Sequence, residues 1–163
     1  MLKTTLILIL LSALVPPFII VLKGRRIRFI SMCLYIVAIV YLIIFRRIIN
    51  AEGSGVRQIN IVPFHSYQLF AQPDIRWQIY QNILLFVPFG FLIPWATERG
   101  FVQTLLAGCL FSVGIEVIQY VFCLGFCELD DIIHNTFGTV IGYGYCKLLA
   151  LFKKRIEKYF QRK

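Results

Sequence analysis

The stretch EVIQYVFCLGFCELDDIIHNTFGTVIGYG, from Glu116 to Gly144, decides how the chain is read. Glu116 and Gln119 sit near the end of one apolar run. Leu124, Gly125, Phe126 and Cys127 then make a turn, and Glu128, Asp130, Asp131, His134 and Asn135 open a second apolar run that carries Gly138, Gly142 and Gly144. Read as helices, at ~100° per residue, Glu128, Asp131, Asn135, Gly138 and Gly142 fall within roughly 80° of one another. On the preceding helix Cys109, Ser112, Glu116, Gln119 and Cys123 make a second narrow stripe. Two polar stripes on consecutive antiparallel helices can face each other. A carboxylate near the middle of a bilayer costs about 2.5–3.5 kcal/mol on insertion scales, so acids in such segments face protein or water and mark a site. The competing structural reading makes them interhelical hydrogen bonds, with Gly138 and Gly142 a small-xxx-small pair for close helix packing.

Working outward, the 163 residues are 59% hydrophobic and 15% charged, with a mean hydropathy of +0.77. That leaves too little polar surface for a soluble globule, and the chain reads as an all-α integral membrane protein forming a single membrane domain. The net charge of +9 does not point to nucleic acid, because the basic residues sit at the ends of apolar runs, as membrane anchors do. Cys33, Cys109 and Cys146 fall inside apolar runs, where free cysteine behaves as a small hydrophobe. Cys123 and Cys127 flank the turn, at a spacing that makes neither CxxC nor a zinc pattern and leaves a disulfide open.

About five transmembrane helices are expected, over 2–22, 27–45, 77–95, 101–124 and 128–152, with a basic tail over 153–163. The first is expected to be a retained span kinked at Pro16 and Pro17, since the charge lies after it. One long interfacial loop separates spans two and three. It contains the flexible Glu52-Gly53-Ser54-Gly55 and the aromatic Asn60-Ile61-Val62-Pro63-Phe64-His65, too short to span. Trp77 and Trp95 match aromatic belts at the two interfaces, and the intramembrane amide Asn82 has Gln78 one turn away on the same face. Five spans put Lys3, Arg46, Arg47, Arg57 and Arg76 on one side and about eleven basic residues on the other. The second side is then cytoplasmic, with the amino terminus outside and the carboxyl terminus inside. Whatever the orientation, Asn82, Glu116, Gln119, Asp131 and Asn135 lie within roughly 5–12 Å of one membrane face, where the long loop also emerges.

These motifs bear a resemblance. Asn60-Ile61-Val62-Pro63-Phe64, then Asn82-Ile83-Leu84-Leu85-Phe86-Val87-Pro88-Phe89-Gly90, Glu116 with Gln119, an acid three before Asp131, and Asn135-Thr136 followed by Gly138 and Gly142 resemble the VanZ-like family in the same order. The match covers about half the chain. It implies a small multi-span protein of the bacterial cell membrane, named for a member associated with low-level teicoplanin resistance. The family's Asp-x-x-Asp pair begins with Glu128 here, whose extra methylene displaces the charge by ~1.5 Å.

Three functions follow from these residues. The first is binding at the outer leaflet: Asn60, Pro63, Phe64, Asn82, Glu116, Gln119, Glu128, Asp131 and Asn135 would engage the amine or amide part of a lipid-linked cell-wall precursor, another membrane lipid, or a lipoglycopeptide antibiotic. The second is an intramembrane enzyme, with carboxylates and His134 holding a metal or acting as base on a phospholipid or polyprenyl phosphate. No activated serine or cysteine pattern and no phosphate-cradling loop accompanies them, and no cofactor is expected. His134 lies about 120° from Glu128 and reads as a satisfied interfacial histidine. The third is a transporter subunit, for which five spans without an inverted repeat are a poor match.

Overall fold

A computed structural model describes residues 24–45 and 57–161. Helix α1, Arg25–Val40, runs on into a π-helical turn, Tyr41–Phe45. A two-residue strand β1, Ile59–Asn60, is followed by a single helical turn α2, His65–Gln68. Then come α3, Pro73–Thr97, α4, Phe101–Val121, strand β2, Cys127–Glu128, and α5, Leu129–Phe160.

Local chemistry places the boundaries. Pro73 occupies the first turn of α3, where its missing N–H costs nothing, and Asp74 there complements the positive end of the helix dipole. Glu98, at φ 61°, turns the chain out of α3. Gly100 opens α4, its N–H donating to Gln103 Oε1 at 3.3 Å. Pro88 withholds a donor from the middle of α3 and crowds the turn before it. In that turn the hydroxyl of Tyr35 donates to the Leu85 carbonyl at 2.7 Å, fastening α1 to α3. Nearer the other end Arg28 Nη1 donates to the Trp95 carbonyl at 3.1 Å, with its guanidinium over the indole, so α1 and α3 run antiparallel.

The close approach is between α3 and α5, which run parallel. A Cβ on Gly138 would strike the Ile83 carbonyl, and one on Gly142 the Val87 carbonyl. Thr139 completes the junction. Its backbone fills the space where Gly90 lacks a side chain, and its side chain does the same at Gly108 of α4, so one threonine wedges three helices together. Its hydroxyl donates to the Asn135 carbonyl at 3.1 Å and it is fully buried. Phe89 and Phe111 stack at 5.0 Å to join α3 and α4, and Phe86, Phe91, Leu92 and Ile39 fill the core.

Among the described residues, three helices are long and apolar enough to cross a membrane: Arg25–Ile44, Pro73–Thr97 and Phe101–Val121. They correspond to the second, third and fourth expected spans, with α3 starting four residues earlier than the expected residue 77. The first expected span, Pro16 and Pro17 within it, Arg46, Arg47 and Glu52 to Gly55 lie outside the described residues. The expected fifth span is instead a helix of 32 residues that continues into the basic tail. Asp130, Asp131, His134, Asn135 and Lys147 lower its hydropathy, while Asp130, His134 and Asn135 are buried. The short strand pair is an addition to the all-α expectation. Ile59 pairs with Cys127 and Asn60 with Glu128 in parallel register, and Cys127 N donates to the Gln58 carbonyl at 3.0 Å.

Candidate binding site

The strand pair brings the loop and the acidic turn together. Behind the pairing, Glu116 Oε2 accepts the backbone N–H of Glu128 at 3.1 Å. Glu116 is 2% exposed, so an acid on α4 holds the strand whose partner is the loop. Gln119 is buried one turn on, and its carbonyl accepts the Leu124 N–H at 2.8 Å. Further along the same interface Asn135 Nδ2 donates to Ser112 Oγ at 2.8 Å. The polar parts of the two stripes meet in antiparallel order, Glu116 with Glu128 and Ser112 with Asn135, while Gly138 and Gly142 of the second stripe face α3 instead.

The loop is clamped by a residue outside those stripes. Asp130 accepts the Phe64 N–H on Oδ1 at 2.6 Å and the Ser66 N–H on Oδ2 at 2.7 Å. Phe64 stands at φ 61°, a left-handed conformation that aims its amide and that of Ser66 at one carboxylate. Charge-assisted bonds of this length are the strong kind. Tyr67, on the clamped turn, packs its ring 5.7 Å from that of His134, one turn beyond Asp130 on α5. His134 is 2% exposed with neither ring nitrogen hydrogen-bonded, so it is not the satisfied interfacial histidine expected from its angle on the helix. That angle, about 40° from Asp130, puts it under the loop.

Between loop, turn and the start of α3 is a cavity of about 770 Å³, open on one side. Its polar wall includes Asn60, Gln78, Glu128 and Asp131, with His65 and Ser66 at the clamped turn. Its apolar wall includes Ile59, Val62, Leu69, Ile79, Leu124 and Phe126. Gln78 Nε2 reaches Glu128 Oε2 at 3.5 Å. Of the residues expected to bind, Asn60, Glu128 and Asp131 line this cavity. Glu116, Gln119 and Asn135 lie behind it as buried supports. Asn82 is half-buried in α3 with its Nδ2 unpaired, Phe64 contributes its backbone to the clamp, and Pro63 is exposed beside it.

The electrostatics are negative. Burial pushes the Cys127 thiol up from its ordinary range, and Glu116, Asp131 and Glu128 push it further in the same direction. Cys123 and Cys127 are both free thiols. Among the described residues, no three His, Cys, Asp or Glu side chains converge as a metal-ligand set. The arrangement suits a ligand that donates hydrogen bonds or carries positive charge on a largely apolar body.

Asp130, His65, Ser66 and Gln78 were missed as site residues from sequence. For Asp130 a signal exists: Asp130 and His134 are i,i+4 neighbours, a second polar stripe beside the first. The left-handed Phe64 that makes the clamp has no such signal.

Comparison with known proteins places the chain. It is 28% identical over 131 residues to Protein VanZ of Enterococcus faecium, an alignment covering 78% of this chain and 76% of that relative. No solved structure matches. The VanZ/LLP1 family model matches residues 32–151, which takes in the second half of α1, all of α2, α3 and α4, both strands and most of α5. With a match of that extent, and with three helices fit to cross a membrane among the described residues, the chain belongs to the VanZ/LLP1 family of membrane proteins.

Proposed function

We propose that the chain binds the amine- or amide-bearing part of an amphipathic cell-envelope molecule in the cavity lined by Asn60, Glu128 and Asp131. The ligand class is a lipid-linked cell-wall precursor or a lipoglycopeptide with its acyl tail in the bilayer, and the consequence is reduced susceptibility to teicoplanin-type antibiotics. The observation that carries this reading is the pairing, in one side-open cavity of about 770 Å³, of two carboxylates and two amides with an apolar wall. Carboxylates complement ammonium and amide donors, and the apolar wall suits the adjoining chain. In the orientation expected from the positive-inside rule this cavity would open at the outer leaflet, where both ligand classes are met. Family membership supports the link to glycopeptide resistance.

The test is Asp131→Asn, which keeps size and polarity and removes the charge. Membrane abundance is measured beside teicoplanin sensitivity in a host where the wild-type chain lowers that sensitivity. Protection should be lost at equal abundance for Asp131→Asn and for Glu116→Gln, and partly lost for Glu128→Gln, which lies nearer water. Full protection from both Asp131→Asn and Glu116→Gln at equal abundance refutes the site.

A further inference from the structure

At the opposite end of the bundle, three arginines meet where α1 begins and where α3 turns into α4. Arg25, Arg26 and Arg99 border a recess of about 660 Å³ floored by Phe29, Ile30, Ala96 and Thr97. A second groove, of about 410 Å³, starts at the same Thr97 and Arg99. It descends between α1, α3 and α4 over Met32, Ile36, Phe89, Ile93, Ala107 and Phe111. Two apolar grooves therefore converge on one cationic corner. We propose that this corner is a binding site for a two-chain anionic phospholipid, its phosphate held by Arg25, Arg26 and Arg99 and one acyl chain in each groove.

The charges favour an anion. Guanidinium groups stay protonated and match phosphate oxygens with paired donors. Counting Glu98 on the same connector, Arg25, Arg26 and Arg99 leave a surplus of two positive charges. Arg28 is not part of this set, because its guanidinium is bound to the Trp95 carbonyl and stacked on the Trp95 ring. Arg25 and Arg26 also stand in the first turn of α1, where the dipole disfavours cations and no side chain caps the free N–H groups. A phosphate there relieves both conditions.

The lengths favour a lipid over a free phosphate. At ~1.5 Å per residue the second groove runs ~12 Å from Thr97 down to Phe89 and the recess ~8 Å from Arg25 to Ile30, so one chain is seated over most of a leaflet's depth and the other over its upper half. Half of a ~30 Å hydrocarbon core is ~15 Å, the depth of one leaflet's chains. The lining of the second groove is almost wholly apolar below Arg99 and Gln103, which suits an acyl chain and has no use for an inorganic ion.

The experiment is native mass spectrometry of the full chain, purified in detergent and supplied with equal amounts of phosphatidylglycerol, phosphatidylcholine and lysophosphatidylglycerol. Phosphatidylglycerol should be retained at least fivefold over each of the others, the first comparison reading the charge and the second the pair of chains. The combined variant R25Q/R26Q/R99Q should fall to the phosphatidylcholine level, whereas R57Q, at the other end of the bundle, should keep wild-type retention. Equal retention of the three lipids by the wild type overturns the proposal without reference to any variant. So does complete displacement of phosphatidylglycerol by millimolar inorganic phosphate, which would make the corner a plain anion site.

Discussion

Replacing Asp130 by Asn should release the loop that roofs the cavity while leaving the helix bundle intact. The carboxylate takes two backbone N–H bonds, from Phe64 at 2.6 Å and Ser66 at 2.7 Å. Each hydrogen bond to a charged group contributes about 1.5–3 kcal/mol net. The amide of Asn keeps one acceptor oxygen and turns an N–H donor toward the other backbone N–H, so the variant loses one bond, weakens the second and gains a donor–donor contact. A loss of about 2–4 kcal/mol follows, and at 1.36 kcal/mol per tenfold the open form of the loop rises roughly 30- to 900-fold. Hydrogen–deuterium exchange of the detergent-solubilised chain, followed in peptides covering residues 57–70, reads this directly. Exchange there should accelerate by at least an order of magnitude, with peptides from α3 and α4 unchanged. Asp74→Asn, an exposed acid in the first turn of α3, serves as control. Unchanged exchange over 57–70 in Asp130→Asn would refute the clamp.

Gly142→Ala should cut folded yield severely, because even one methyl meets the Val87 carbonyl, whereas Gly144→Ala, with nothing within 4 Å of the new methyl, should fold normally. Normal yield for Gly142→Ala contradicts the helix contact. Cys127 should react slowly with a thiol reagent at pH 8, since burial and the surrounding carboxylates raise its pKa and deplete the thiolate. Glu116→Gln removes one of those charges, lowers the pKa toward its ordinary value and should speed the reaction several-fold; an unchanged or slower rate argues against the negative field. For orientation, a cysteine at Ser54 should react with a membrane-impermeant thiol reagent in intact cells and one at Gln161 should not, and the opposite labelling pattern inverts the topology.

The bundle and the acidic interface were legible because both rest on periodicity. Apolar runs fix α1, α3 and α4, and a stripe at 3.6-residue spacing is enough to set Glu116 and Ser112 against the start of α5. The four-residue spacing of Gly138 and Gly142 was also visible, being itself a pattern, and both lie where a Cβ would strike α3. Gly90 and Gly108 were not, because their need for glycine comes from Thr139, which lies on another helix. The pairing of Asn60 with Glu128 leaves no trace in sequence: two residues are too few for an alternating pattern. His134 was misjudged for a related reason. Its place was assigned relative to the Glu128 stripe, while its actual neighbour is Tyr67 on a loop whose path periodicity does not describe.

The clamp also sets an order of events. The bonds from Phe64 and Ser66 to Asp130 close segments of 66 and 64 residues. Contacts that distant along the chain form late, because loop closure must be met before they give anything back. Here the intervening chain is α3 and α4, so the roof cannot be fastened until both have paired and α5 has entered beside them. A chain arrested before α5 has α1, α3 and α4 but lacks the cavity wall that Glu128 and Asp131 supply. On the proposed reading the cavity would serve as a completion signal: a ligand that requires it would be recognised only by molecules in which α5 is in place.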